Sequence, residues 1–552
     1  MTFPASLLSW IDRHPGVQLA VVAAVILAAL FQTVRPLGHG PSATERGHDW
    51  AWGWVIAAVL LAGRWPMLLL PREFNQDESL LLAGAHALAH DPVFWRSVEG
   101  GTVGPLPFFA LWPAGWWCDW TGYFPARITA VALLTLSLLL AHQCLTILLD
   151  RRSARLAVLA ALAFEALTLS LELVHYSTEL VPLALLSAAG YAAVRRWSLG
   201  GGRGWNFLGG ALLGALPFAK LQAVPLGLGF GGGWLLAEFL AGTRSSGRHR
   251  VYLLAGALLP ALLFSSQITL AGEWENVLIP YFAYNVFYTE QGLPAGRLVA
   301  EILRLSRESD SLLHVWLPAV MAWIILLQFV RHGPAPAARL GGIALASCAV
   351  GLACTLYPGK PFLHYWQFMV LPLLFLLGVS LHRALHGADT ARTRLVAVTA
   401  TGFLALLLGT RARSPNPYLG NLAYFSAAPR TELSERVHRL ARPGDTLAVW
   451  GWSSYVFVET GLHQITREAC SVRSLEPSPY LEFYRLRYLR DFLRKQPDLF
   501  LDSVGPNSTR YLDPQAGHDH TFPALAGEIR ANYMLVDEFN GARLYRRRAP
   551  GN

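Results

Sequence analysis

Along the first three quarters of the chain, long apolar blocks alternate with short polar breaks. The clearest blocks are 126–149, 250–271, 311–330, 364–380 and 394–410. A helix that crosses a hydrocarbon core of ~30 Å needs about 20 residues, and these blocks reach or approach that length. Backbone groups in lipid must be paired within their own segment, and the alternation of a membrane barrel is missing, so the blocks predict helices.

The breaks carry a second pattern. Basic residues gather in short loops at Arg151, Arg152 and Arg155; Arg195, Arg196 and Arg203; Arg244, Arg248 and Arg250; Arg331 and Arg339; and Arg383, Arg392 and Arg394. Cytoplasmic loops retain positive charge, so these loops set the topology. With 150–155 inside, 126–149 runs inward and 156–173 outward, the turn 174–180 lies outside, and 181–195 returns. Continuing, 206–219, 250–271, 339–356 and 394–410 run outward, while 222–241, 311–330 and 364–380 run inward. Upstream, 50–70 runs outward, which makes 71–125 a long external loop. Its apolar stretch 105–118, with Trp112, Trp116, Trp117 and Trp120 nearby, suits an interfacial helix rather than a crossing. Segment 16–34 adds one more apolar helix and belongs to an N-terminal segment, 1–49, ahead of a membrane-embedded domain spanning 50–410.

From 411 the pattern changes. Strand-like runs at 446–451, 498–504 and 533–539 alternate with helical stretches at 478–495 and 523–531, after a linker marked by Pro415, Pro417 and Gly420. This predicts a small extracytoplasmic α/β domain over 411–552, of roughly 130 residues, enough for a core of its own. The expected fold is a helical polytopic membrane protein of about 11–13 membrane helices with that domain appended.

Composition agrees. The chain is 53% hydrophobic and 15% charged, with a mean hydropathy of +0.36, against about 25% charged residues in soluble domains. The net charge of +9 falls in the membrane-flanking loops, so it is a topology signal and not a nucleic-acid footprint. The five cysteines lack metal spacing and predict no disulfide framework. His518 and His520 lack two further spaced ligands, which argues against a metal there.

Ionisable residues beside apolar spans are the candidate chemistry. Asp77 and Glu78 open a helical pattern in the first external loop; they suit a helix first turn, and equally a general base acting on an acceptor hydroxyl. Glu172, His175 and Glu179 sit in the turn between two spans, a costly place for ionisable groups unless they serve a site. Lys220 is flanked by apolar segments, where it could meet an anionic headgroup or snorkel. Lys360, His364 and Tyr365 stand at the outer end of a helix, at headgroup depth, where a lysine can pair with a lipid phosphate.

Four elements, in order, carry a resemblance. They are Asp77-Glu78 after a membrane helix, Gly-Pro-Leu-Pro at 104–107, Gly-Lys-x-Phe-x-His-Tyr at 359–365 followed by Pro372, and VWGWSSYVFVETGLHQITRE at 449–468. From about residue 50 onward the chain resembles polytopic glycosyltransferases of the C superfamily, especially the family 39 branch related to protein O-mannosyltransferases and the lipid A aminoarabinose transferase. The 104–107 element departs from the family's His-Pro-Pro-Leu and loses its histidine. The resemblance implies an inverting transfer of a monosaccharide from a polyprenyl-phosphate donor to a glycan, lipid or protein hydroxyl outside the cytoplasm, in a bacterial inner membrane. It implies Asp77 as base with Glu78 beside it, Glu179 orienting acceptor or base, Lys360 on the donor phosphate with His364 nearby, and no cofactor or catalytic metal. A lipid or glycan flippase and a non-catalytic scaffold are the competing classes; neither needs a long loop carrying an acidic pair.

Overall fold

The computed structural model describes residues 14–34, 49–116, 118, 120–242, 244–329, 335–386, 390–414 and 430–549. Trp117, Arg331 and the linker residues Pro415, Pro417 and Gly420 lie outside the described residues. The chain divides into two units, the first made of 1–69, 130–264 and 288–423 and the second of 70–129, 265–287 and 424–552. The C-terminal segment thus shares its unit with the whole of 71–125.

The first unit is helical. At its centre runs Arg151–Leu167, buried throughout from Leu156 to its end. Asp150 caps it, accepting from the Ser153 amide at 2.8 Å, as expected of an N-cap carboxylate. Helices Pro15–Val34, Trp52–Leu68, Leu313–Phe329, Gln367–Leu385 and Thr390–Arg413 pack around it. Its many alanines let neighbouring backbones approach, the usual device where lipid supplies no hydrophobic drive between helices. At the tightest point, a Cβ on Gly63 would lie 2.2 Å from the Ala166 carbonyl oxygen. Helices Arg203–Gly214 and Arg244–Ala271 meet in the same way. A Cβ on Gly210, Gly214 or Gly256 would fall 2.0–2.1 Å from a carbonyl oxygen of the facing helix. Leu240, Leu258, Leu262, Leu263 and Val398 stand more than half exposed, as side chains that face lipid do.

Among the described residues, seven helices are long and apolar enough to cross a membrane, and eight if Ala295–Glu308 and Leu313–Phe329, bent by 110°, form one broken span. The expected spans 50–70, 156–173, 181–195 and 206–219 also form helices, at Trp52–Leu68, Arg151–Leu167, Leu180–Ser198 and Arg203–Gly214. They are shorter or more polar: two have 17 residues, one ends in Arg195 and Arg196, and the last has 12. The last of them is cut short where Pro217 enters a 3₁₀ turn, Leu216–Phe218, and the chain becomes extended at Lys220.

The second unit holds a five-stranded sheet in the order β2-β1-β3-β5-β4, where β1 is Thr446–Trp450, β2 His463–Gln464, β3 Leu499–Asp502, β4 Tyr533–Phe539 and β5 Ala542–Arg547. Strand β1 pairs parallel with β2 and β3, while β3–β5 and β4–β5 are antiparallel. Asn540 and Gly541 both have positive φ, the left-handed pair that a two-residue hairpin with right-twisted strands requires. Alternate residues serve opposite faces. Leu447, Val449, Leu499, Leu501 and Leu544 meet Leu433, Val437, Val456 and Phe457 on one side. Ala448, Trp450 and Phe500 meet Tyr488, Phe492, Leu525 and Ile529 on the other. Helix Gln76–His90 joins the first face through Leu80 and Ala83. Apolar stretch 105–118 forms two four-residue helical turns, Leu106–Phe109 and Trp112–Gly115, each containing a proline.

Helix-to-helix backbone contact gives a direct test. Gly210→Val should lower the thermal midpoint of the detergent-purified protein, by an overpacking cost of about 1–3 kcal/mol. Gly204→Val, where a Cβ meets nothing within 4 Å, should leave the midpoint nearly unchanged in the same fluorimetric melt.

Candidate functional site

The acidic loop of the second unit is built on one helix start. Asn75 is extended, with φ −145°, and its side chain accepts from the Asp77 amide at 2.9 Å. This satisfies one of the donors that a helix N-terminus leaves open. The cap places Asp77 and Glu78 in the first turn of Gln76–His90, where the helix dipole favours carboxylates.

The two carboxylates then part company. Glu78 is fully buried. Arg127 donates to it twice, from Nε to Oε1 and from Nη2 to Oε2, both at 3.0 Å. The amide of Phe74 adds a third bond at 3.3 Å. Arg127 is itself fully buried; it donates to the carbonyls of Leu70 and Arg72 and lies 3.5 Å from the centre of the Phe74 ring. Asp77 is half-buried, and its carboxylate makes no hydrogen bond or ion pair with the described residues.

A third carboxylate, Glu73, is a member of this group that sequence reasoning missed. Ser79 donates to it at 2.5 Å, and the Ser79 oxygen is 3.3 Å from the Tyr123 hydroxyl. Burial pushes the Glu73 carboxyl up, Ser79 pulls it back, and the negative charges of Glu459, Glu78 and Asp77 add to the rise, giving about 7. Glu459 is held by the Thr431 amide and hydroxyl at 2.7 and 2.8 Å and lies 3.6 Å from Arg72.

In the first unit, six of the residues singled out in the sequence come together. Lys220 donates to Thr178 at 2.8 Å and to Glu179, and its ammonium lies 4.7 Å from the centre of the Tyr365 ring. His364 Nδ1 is 2.8 Å from Glu172 Oε2. The His175 ring meets the His364 ring edge-on at 5.5 Å, and His175 Nε2 is buried with no hydrogen-bond partner among the described residues. All but Glu172 are buried. Burial opposes ionisation of Glu179, but Lys220 and His364 outweigh it and hold the carboxyl down to about 2. Thr178 is the addition here, and nothing in its local sequence marks it.

Lys360 bonds elsewhere. It donates to the Gln291 carbonyl at 2.9 Å, sits 4.5 Å from the centre of the Tyr288 ring and stays half-buried. Gly359, at φ +64°, lets the backbone run against Gly292, where a Cβ would come within 2.6 Å of the Gly292 Cα. A cavity of about 250 Å³ opens beside them, lined by Leu293, Leu298, Leu356 and Tyr357 among others.

His518, expected to bind no metal, is joined by Asp502 and Asp519 in a group whose ligand atoms lie within 4.8 Å of one another. Arg543 donates to both carboxylates, at 2.7–2.9 Å. A guanidinium already balances their charge, which favours a structural ion-pair cluster over a metal centre.

Two measurements follow from the burial of these charges. Glu73 binds its proton more tightly folded than unfolded, so its contribution to stability is full below about pH 4.5 and is lost as pH rises through about 7. The thermal midpoint of the wild type should therefore fall relative to Glu73→Gln between pH 5 and pH 8. Removing one side of the buried Lys220–Glu179 pair strands the other charge. Lys220→Met should cost about 3 kcal/mol in a reversible melt, and Lys220→Met with Glu179→Leu should recover part of it.

No family model matches the chain, and no curated protein matches it in sequence. The likeness lies in the fold. The crystal structure of ArnT from Cupriavidus metallidurans bound to undecaprenyl phosphate aligns with a TM-score of 0.52 at 14% identity, covering 91% of this chain and 99% of that one. The apo structure of the same protein gives 0.51 at 14%, covering 90% and 98%. At 14% identity the likeness is one of fold: this chain shares the fold of ArnT over most of its length, and the long apolar helices make it an integral membrane protein; the family 39 branch is not singled out.

Proposed function

We propose that this protein is an inverting glycosyltransferase that moves a monosaccharide from a polyprenyl-phosphate donor to a hydroxyl on a glycan, lipid or protein outside the cytoplasm, in a bacterial inner membrane. The observation that carries this reading is the state of Asp77. It sits on a capped helix start, half-exposed and with no partner among the described residues, while Glu78 is paired with Arg127 and the Glu73 carboxyl is pushed up to about 7. A general base must be ionised, positioned and accessible to the proton it takes, and Asp77 meets the last two conditions by geometry.

In this reading Asp77 takes the proton of the acceptor hydroxyl as its oxygen attacks the anomeric carbon. The bond from that carbon to the phosphate oxygen breaks, and polyprenyl phosphate departs with the electron pair. One displacement inverts the configuration. The leaving group is a stable anion, so no general acid is needed, unlike the carboxylate pair of a hydrolase. Lys360 meets the donor phosphate, with His364 and Tyr365 nearby. Glu179, tied to Lys220 beside His175, orients bound substrate rather than exchanging protons. Glu78 positions Asp77 through Arg127. Undecaprenyl phosphate bound to ArnT supports a lipid phosphate as the class of donor.

The test uses purified wild type and Asp77→Asn with radiolabelled polyprenyl-phosphate sugars and a host membrane extract. Asp77→Asn should insert and melt like wild type while transfer falls by roughly 10²–10⁴, the usual contribution of a general base. Equal transfer by both would remove Asp77 from this role. Lipid movement across vesicles with no new glycosidic bond would make the protein a flippase.

A further inference from the structure

Away from the acidic turn, the far end of helix Gln76–His90 carries a cluster that glycosyl transfer does not use. His86 and His90 are four residues apart and so share one helix face. His463 comes to them from β2, fixed in register by pairing with Thr446 of β1. The ring centroids are 5.3 Å apart for His86 and His90, 4.5 Å for His90 and His463, and 6.0 Å for His86 and His463.

We infer that these three imidazoles form a site for a divalent transition metal ion of the Zn²⁺ class. With metal–nitrogen bonds of about 2.0–2.1 Å and tetrahedral angles, three imidazole ligands hold their centroids on the order of 5 Å apart. The observed spacings bracket that value. As placed, the nitrogens of the three rings do not all lie within 4.8 Å of one another; the ring torsion of histidine is broad, and metal binding would require the rings to turn toward a shared centre.

The second observation is what the rings lack. None of the three makes a hydrogen bond or ion pair with the described residues, and His463 Nδ1 is buried without a partner. Stacking explains His86 against Trp120, at 5.6 Å and 14°, but leaves that buried nitrogen unsatisfied. Imidazole suits zinc and its neighbours in the first transition row. The fourth position faces a cavity of about 700 Å³, also lined by His438, Arg442 and Asp445. Asp445 is already engaged by the Arg442 amide and by Arg546, which leaves the fourth position to water or an incoming donor atom. A metal here would clasp the end of the helix that begins at Asp77 to the edge strand of the sheet.

The experiment uses full-length protein in detergent, stripped with chelator and titrated with Co²⁺. We expect one equivalent to bind with the visible bands of a tetrahedral nitrogen-rich site, Zn²⁺ to displace it, and each metal to raise the thermal midpoint. His90→Ala and His463→Ala should each weaken binding at least tenfold, whereas Asp519→Asn should leave it unchanged. His90 is exposed at the helix end, so its variant should keep the metal-free midpoint of wild type even if His463→Ala does not. Binding unaltered in His90→Ala, lost in Asp519→Asn, or absent from wild type at about 0.1 mM Co²⁺ would overturn the assignment.

Discussion

The acidic loop depends on Arg127. A guanidinium has five N–H donors and no way to shed its charge, so burying it is costly unless the donors are used and the charge is balanced. Here Glu78 takes a two-pronged contact, and the carbonyls of Leu70 and Arg72 take one bond each. The Phe74 ring covers one face. This pins both ends of a short stretch: the backbone at 70–74 and the helix start at 76–78. Glu78 cannot turn away without stranding a buried cation, so the helix start is fixed, and the direction in which Asp77 projects is fixed with it.

That arrangement divides labour among three carboxylates within six residues. Placing them so close raises the cost of ionising all three. The cost falls on Glu73, whose carboxyl is pushed up to about 7 by burial although the Ser79 hydroxyl donates to it and pulls it back. Glu78 stays paired because Arg127 has nowhere else to go. Asp77, half-exposed, has no carboxylate partner among the described residues. Neighbours with different burial and partners are thus suited to different jobs although they are chemically alike.

Much of this was legible in the chain, and what was not has a clear reason. The helix at 76–90 and its acidic first turn follow from Asn-Gln-Asp-Glu before an apolar run, a signal carried by adjacent residues. The strands at 446, 499 and 533 follow from alternating apolar runs bounded by turns. Strand β2 has two residues and β5 is rich in arginine, so neither has a pattern to read. Partners defeat sequence reading most: Arg127 lies 49 residues from Glu78, Lys220 41 from Glu179 and His364 192 from Glu172. Each looks locally like a polar residue at the end of an apolar span. The shorter and more polar expected spans form helices too, and one of them, Arg151–Leu167, is enclosed by other helices, where apolar length is a weaker guide than it is for a helix facing lipid.

Burial also separates the charged groups that are fixed from those that are available. In the first unit, Lys220 and Glu179 pair at low exposure and the buried His364 ring pairs with Glu172, so removing one member strands its partner in a poorly solvated place. Such groups hold shape and field. Lys360 has the opposite character: half-exposed, leaning on the Tyr288 ring and bonded to a backbone carbonyl, it can exchange a weak acceptor for a phosphate oxygen at small cost. Asp77 in the second unit is the acidic counterpart, half-exposed beside a locked neighbour. A substitution in a buried pair should therefore act first on stability, whereas under the proposed function a substitution of Asp77 or Lys360 should act first on transfer. That separation is the physical argument for assigning roles by burial and partners rather than by residue type.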